Sequence, residues 1–218
     1  MSPKTEPFDR YSDAYDTWFD EHAGIYASEL ETIRRLLPSR SFQGLEVGAG
    51  SGKFAAPLGI RTGVEPSQKM AAKARDLGIK IVNGVAEDLP FSDASFDLVL
   101  MITTVCFVDD PVLAFGEVWR VLRTGGCFIV GFVDKESVLG QRYMRRSGQS
   151  RFYAEARFFS TREILDLLAG SGFHIKEKYQ TLIPGRSVKI IRRGSGKGAF
   201  VAVKAEKQES AGRSLRDF

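Results

Sequence analysis

The apolar positions of this chain fall into two regimes. Near the start, Tyr26, Leu30, Ile33 and Leu37 recur at helical spacing, and Pro38 ends that helix. From Gly44 onward short apolar runs alternate with helical stripes. Leu45 and Val47 close a first strand, and Ile60–Val64 form a second. Met70, Ala74 and Leu77 line a helix that Ser67 caps and Gly78 ends. Ile79–Val82 form a third strand. Phe96–Ile102 is almost wholly apolar, as in a parallel strand covered on both faces. Asp110-Pro111 opens a helix with an expected buried face of Val112, Phe115, Val118, Trp119 and Leu122. Cys127–Val133 make a fifth strand. Ser160–Glu163 spells a capping box before Ile164, Leu165 and Leu168. Phe173–Thr181 and Ala199–Val203 read as two further strands. Strands alternating with helices predict an α/β, doubly wound sheet.

The break after the first strand is the most informative local feature. Gly48, Gly50 and Gly52 alternate with Ala49 and Ser51, and Lys53–Leu58 reads as a short helix. Such a turn suits a nucleotide-like ligand, because no Cβ keeps the backbone away and helix N–H groups follow. A tight turn with no ligand is the competing reading. A phosphate-binding P-loop fails twice, with Val47 and Phe54 at its required positions. A dinucleotide fingerprint fails because its third glycine comes one residue early and Lys53 stands in its place.

Acids follow the next two strands. Glu65 ends the second strand, where a carboxylate's two oxygens match a ribose diol. It also precedes a helix, where a negative charge is stabilising in its own right. After the third strand, Ala86-Glu87-Asp88 offers an acid for an adenine amino group, or is a solvated loop.

Composition narrows the class. A chain of 218 residues makes one domain with small additions and needs no disulfide or metal staple. Cys106 and Cys127 both sit in apolar runs and read as buried, reduced thiols. No metal-ligand cluster, no apolar leader and no membrane-length apolar run is present, so a cytoplasmic protein is expected. The net charge of +4 is uneven: from Gly185 onward nine Lys/Arg face three Asp/Glu. That stretch reads as a solvated face, with nucleic acid or a membrane surface as the alternative partner.

Five motifs in register, LEVGAGSG, GVEPS, NGVAEDLPFSDASFDLVL, DDPVLAFGEVWRVLRTGG and CFIVG, resemble the class I S-adenosylmethionine-dependent methyltransferases. The resemblance is to the small-molecule group that includes the ubiquinone and menaquinone enzymes (type 11), and it covers most of residues 8–172. It implies a Rossmann-like seven-stranded sheet of order 3-2-1-4-5-7-6 with strand 7 antiparallel. It also implies a helical lid over residues 1–40 and a catalytic domain over 41–206, while the polar composition of the last dozen residues reads as a flexible tail over 207–218. The implied cofactor is S-adenosylmethionine, with S-adenosylhomocysteine as product. The implied cofactor site comprises Tyr11, Tyr15, Glu46, Gly48, Ala49, Gly50, Gly52, Glu65, Pro66, Met70, Ala86, Glu87, Asp88, Thr103, Thr104 and Phe107. Within it Glu46 and the glycines hold the methionine end, Glu65 the ribose and Asp88 the adenine. Tyr11, Tyr15 and Trp18 are spaced four and three apart, which puts them on one helical face, with core packing the default reading for Trp18 and Phe19. Tyr15-Asp16 resembles the Tyr-Asp of the family's lid.

One departure concerns catalysis. Where the family often carries His-His after strand 4, this chain has Cys106-Phe107, so no histidine base is implied and the catalytic residues stay unassigned. Tyr15, His22 and Asp109 are candidates to assist a proton loss. Residues 138–159 form a cap insert rich in Arg142, Arg145, Arg146, Arg151 and Arg157 among aromatics. It suits an acidic or aromatic small molecule, and RNA contact stays open. Nucleobase methylation is disfavoured, because neither an Asn/Asp-Pro-Pro-aromatic run nor Pro-Cys follows strand 4. The competing functions are an RNA-associated methyltransferase and a non-catalytic S-adenosylmethionine-binding module. Oligomeric state cannot be read from these residues.

Overall fold

A computed structural model describes residues 4–208. The chain opens with three helices, α1 (Glu6–Arg10), α2 (Ser12–Glu21) and α3 (Ala23–Arg34). There follow β1 (Gly44–Val47), β2 (Thr62–Val64), α4 (Gln68–Asp76), β3 (Lys80–Val82), β4 (Phe96–Ile102), α5 (Pro111–Val121) and β5 (Leu122–Val133). The last elements are α6 (Val138–Arg146), α7 (Thr161–Gly170), β6 (Phe173–Thr181), β7 (Arg192–Arg193) and β8 (Phe200–Lys207).

The sheet order is β3-β2-β1-β4-β5-β8-β6-β7. Strands β1 to β5 pair in parallel, and β8 runs antiparallel between β5 and β6. This is the expected seven-strand order, with β8 as the antiparallel member. The difference is β7, a two-residue edge strand paired with Tyr179 and Gln180 of β6.

Alternation along β4 builds the two layers. Val99 and Met101 face Phe115 and Val118 of α5 and Ile164 and Leu168 of α7. Leu98, Leu100 and Ile102 face the other way, toward Ile33, Leu36, Ala71 and Ala74. Side chains cap the helices as the sequence predicts. Ser67 accepts from Met70 N, Asp110 from Val112 N and Leu113 N, and Ser160 closes a capping box with Glu163.

Three local expectations are corrected. Val112 is 64% exposed, because the buried stripe of α5 is centred on Pro111, Ala114, Phe115, Val118 and Val121. The glycine turn leads into a single 3-10 turn, Ala56–Leu58, in place of the short helix expected over Lys53–Leu58. The backbone breaks at Tyr11, between α1 and α2, so Tyr11 does not share a helical face with Tyr15 and Trp18.

The expected tail at 207–218 falls mostly outside the described residues. Within them, Lys207 ends β8 and donates to the carbonyls of Trp119 and Leu122. Among the described residues no helix is long and apolar enough to cross a membrane.

Candidate active site

At the carboxyl ends of the parallel strands lies a cavity of about 800 Å³. An open α/β sheet places its ligands there, and the volume is in the upper part of the range of roughly 300–1,000 Å³ for small-molecule sites. Of the predicted cofactor residues, Tyr15, Gly48, Gly50, Glu65, Pro66, Met70, Ala86, Glu87, Thr103, Thr104 and Phe107 line it. Tyr11, Glu46, Ala49, Gly52 and Asp88 are not on its wall.

The glycine turn has two reasons for its glycines. Gly48, Gly50 and Gly52 all have φ in the left-handed region, at +70°, +55° and +83°. A Cβ on Gly48 would overlap Thr104, and one on Gly52 would come within 2.6 Å of Ile79. These two glycines are therefore demanded by packing. Gly50 is different, since a Cβ there would meet only Met70 at 3.5 Å and the Tyr15 hydroxyl at 3.8 Å, at the cavity wall.

Glu65 fastens this turn to the next helix. Its Oε2 accepts from Gly50 N at 2.8 Å and its Oε1 from Ser67 N at 2.9 Å. Each oxygen keeps a further lone pair for a ligand. Burial raises its pKa, while the two backbone N–H groups pull the other way.

Glu87 and Asp88 divide. Glu87 lines the cavity and its Oε1 accepts from Asp109 N at 2.8 Å and Asp110 N at 3.2 Å, tying the loop after β3 to the start of α5. Asp88 is exposed and turned away. After β4, Thr103 has a φ of +51°, an outlying conformation for a β-branched residue. Its N–H reaches the Gly131 carbonyl at 2.7 Å.

The N-terminal helices close over the cavity through their acids. Ser67 Oγ donates to Asp9 at 2.6 Å, and Ser51 Oγ donates to Asp16 at 2.6 Å. Lys73 bridges Asp13 and Asp16 at 2.7 and 2.8 Å. Asp16 thus ties α2 to the glycine turn, beside Tyr15 on the wall. Phe8 then meets Phe152 of the 138–159 insert, with ring centroids 5.6 Å apart. Tyr11, Tyr15 and Phe107 complete that aromatic cluster. Of the five insert arginines only Arg146 lines the cavity. Arg151 lies over the Tyr11 ring and Arg157 over Phe159, so the insert's positive charge is not gathered on an acceptor.

The proposed proton acceptors separate clearly. His22 stacks on Trp18 at 4.7 Å, contacts the Trp18 carbonyl through Nδ1, and does not line the cavity. Tyr15 lines it, but burial, and then the charges of Glu46 and Glu65, raise its pKa far above the usual phenol value. It remains a donor. Asp109 lines it and pairs with Lys4 at 2.8 Å. Cys106 is buried, and burial pushes its thiol up to about 12, which removes it as a nucleophile.

Two buried carboxylates complete the site. Glu46 in β1 is 1% exposed, and its Oε2 has no hydrogen-bond partner among the described residues. Burial holds its pKa well above normal, against the pull of the Ala55 N–H. Glu29 in α3 lines the cavity and was not foreseen. The signal was present: Glu29 lies three residues after Tyr26 and four before Ile33, which puts an acid on an apolar stripe. Trp18, Tyr143, Phe152 and Tyr153 also line the cavity and were foreseen only as core or cap.

Comparisons with known proteins agree with this geometry. Residues 45–130 match the family described as "Methyltransferase domain". An uncharacterised protein of Methanocaldococcus jannaschii is 40% identical over 92% of this chain and 98% of its own length. A malonyl-[acyl-carrier protein] O-methyltransferase of Geobacter sulfurreducens is 33% identical over 84% of this chain and 79% of its own. A crystal structure from Thermotoga maritima is described as an SAM-dependent methyltransferase, possible histamine N-methyltransferase. It superimposes with a TM-score of 0.89 at 44% identity, covering 94% of this chain and all of that one.

Proposed function

This chain belongs to the class I S-adenosylmethionine-dependent methyltransferases, and from that membership we propose that its methyl acceptor is a small molecule taken into the aromatic half of the cavity. S-adenosylmethionine is its cofactor. When bound, it supplies a methyl group already activated on a positively charged sulfur. What remains for the protein is to bind, align and dehydrate.

The residues suit that division of labour. Glu65 has a spare lone pair on each oxygen for the ribose hydroxyls. Gly50 lets a ligand approach between Met70 and Tyr15. Ala86 and Glu87 line the cavity and would flank the adenine, with Asp88 outside the wall. Glu46, with its unpartnered oxygen behind the glycine turn, suits the positively charged methionine amino group through the turn or a bridging water.

The observation that carries the acceptor reading is enclosure. Phe8 and Tyr15 from the N-terminal helices meet Phe152 from the insert over the cavity. Tyr143 stacks on Tyr153 and Tyr153 on Phe107. A site roofed on both sides in this way favours a small molecule over a nucleic-acid strand, which needs an open groove. The description of the Thermotoga relative, which names histamine, supports the same scale of acceptor.

Incubation with methyl-labelled S-adenosylmethionine and fractionated cell extract tests this. Label is expected in the ultrafiltrate of small molecules. Label confined to retained RNA or protein would overturn the reading. Calorimetry with S-adenosylhomocysteine and NADH checks the cofactor separately.

A further inference from the structure

Five acids line the cavity: Glu29, Glu65, Glu87, Asp109 and Asp110. Four have partners. Glu65 accepts from Gly50 and Ser67, Glu87 from Asp109 and Asp110, Asp109 pairs with Lys4, and Asp110 caps α5. Glu29 alone accepts no hydrogen bond and pairs with no cation among the described residues, although it is only 6% exposed. Its oxygens are not sealed in protein as Glu46 Oε2 is but stay open to the cavity, where a ligand can supply the partner the protein does not.

Its position sets it apart from the cofactor end. α3 packs against β6 and β8, whereas Glu65 follows β2, with β1, β4 and β5 between them. Around Glu29 the walls are aromatic. Tyr143 lines the same cavity as Glu29, and burial first, and then the Glu29 charge, raise its hydroxyl's pKa. Tyr15 and Tyr153 also feel its charge. An unpaired carboxylate among aromatic rings is the recognition chemistry of an ammonium group.

We propose that Glu29 is the acceptor-binding residue of this enzyme and that it selects a small molecule bearing a basic amine. The proposal rests on the small-molecule reading above and names its class. In the transfer, the ammonium first gives one proton to Glu29. The nitrogen lone pair then forms the N–CH3 bond, and the S–CH3 electron pair returns to sulfur. The methylated amine leaves as an ammonium, and Glu29 keeps the proton it received, which returns it to its protonated state. Burial pushes the empty Glu29 up to about 8, so the empty site is mostly protonated at neutral pH. Capture of an ammonium must therefore expel about one proton, wherever the shared proton then sits.

Protein saturated with S-adenosylhomocysteine is titrated with benzylamine and 2-phenylethylamine, and with benzyl alcohol and phenylacetate as neutral and anionic controls. At least one amine is expected to bind about tenfold or more tighter than both controls, the scale of a charge-assisted hydrogen bond. At pH 7 its binding heat is expected to change with the buffer's ionisation enthalpy. Glu29→Gln is expected to abolish both the preference and the buffer dependence while leaving S-adenosylhomocysteine affinity unchanged. Amines that bind no better than the controls, or a preference that survives Glu29→Gln, would overturn the proposal. Failure of S-adenosylhomocysteine itself to bind would instead strike at the cofactor assignment.

Discussion

Glu65 Oε2 accepts a hydrogen bond from the Gly50 backbone N–H at 2.8 Å, across the gap between β1 and β2. The carboxylate therefore shapes the glycine turn before any ligand arrives, and Ser67 N holds its other oxygen. We expect Glu65→Ala to weaken S-adenosylhomocysteine binding by about 1.5–3 kcal/mol, the loss typical of a hydrogen bond to a charged group. Calorimetry measures it. An unchanged affinity would reduce Glu65 to a brace between turn and helix.

Asp16 carries the N-terminal helices onto that same turn through Ser51, and onto α4 through Lys73. Asp16→Ala should cost about 1–2 kcal/mol of cofactor affinity. It should also speed limited proteolysis between α1 and α3, a readout of loosened docking. A variant that binds cofactor normally and resists protease as the wild type does would show that the aromatic contacts suffice.

Gly48 and Gly59 have similar positive φ values, +70° and +76°, but different surroundings. A Cβ on Gly48 would overlap Thr104, whereas one on Gly59 meets nothing within 4 Å. Gly59→Ala should cost about 1–2 kcal/mol from backbone conformation alone. Gly48→Ala should cost clearly more and abolish cofactor binding. Denaturant melts of the two proteins compare them directly, and equal losses would refute the steric argument.

Glu29 makes stability depend on pH. Its folded pKa is raised to about 8 by burial, above an ordinary value of 4.5. Between those values the unfolded chain has lost the proton that the folded chain keeps. The folded state binds more protons there, so stability falls as pH rises. Glu46 and Glu65 shift in the same direction, so the test is a difference between two proteins. Glu29→Gln should be more stable than wild type at pH 8 by up to about 4 kcal/mol, with the advantage vanishing by about pH 4. Parallel stability–pH curves would show that Glu29 does not carry the shift.

The thiols provide a simple control. Burial lifts Cys106 to about 12 and Cys127 to about 11. Neither should be alkylated by iodoacetamide at pH 8 in the folded protein, and both should react in denaturant. Rapid labelling of the native protein would mean that the region after β4 opens.

Much of this architecture was legible before any coordinates. The strands were readable because residues buried on both faces must be apolar in unbroken runs, as in Phe96–Ile102. The caps at Ser67, Asp110 and Ser160 were readable because a helix end needs an oxygen within three residues of its free N–H groups. Local phase was less secure. Val112 was placed in the core, yet only the packing of α5 against the sheet decides which side of its stripe is covered. Tyr11 was assigned to a continuous helix that the backbone interrupts beside it.

The sequence by itself determined the order of strands and helices, the glycine turn and the acid at its neighbouring strand end. Each depends on spacings of a few residues, which the chain's own geometry converts into structure. The tertiary structure alone decided that Phe8 meets Phe152, that Asp16 holds Ser51, and that Glu29 faces the cavity unpartnered while Asp88 and His22 do not. Those pairings join residues far apart in the chain. Periodicity states which side of an element is buried. What it is buried against follows only from the sheet order and the packing of the elements across it.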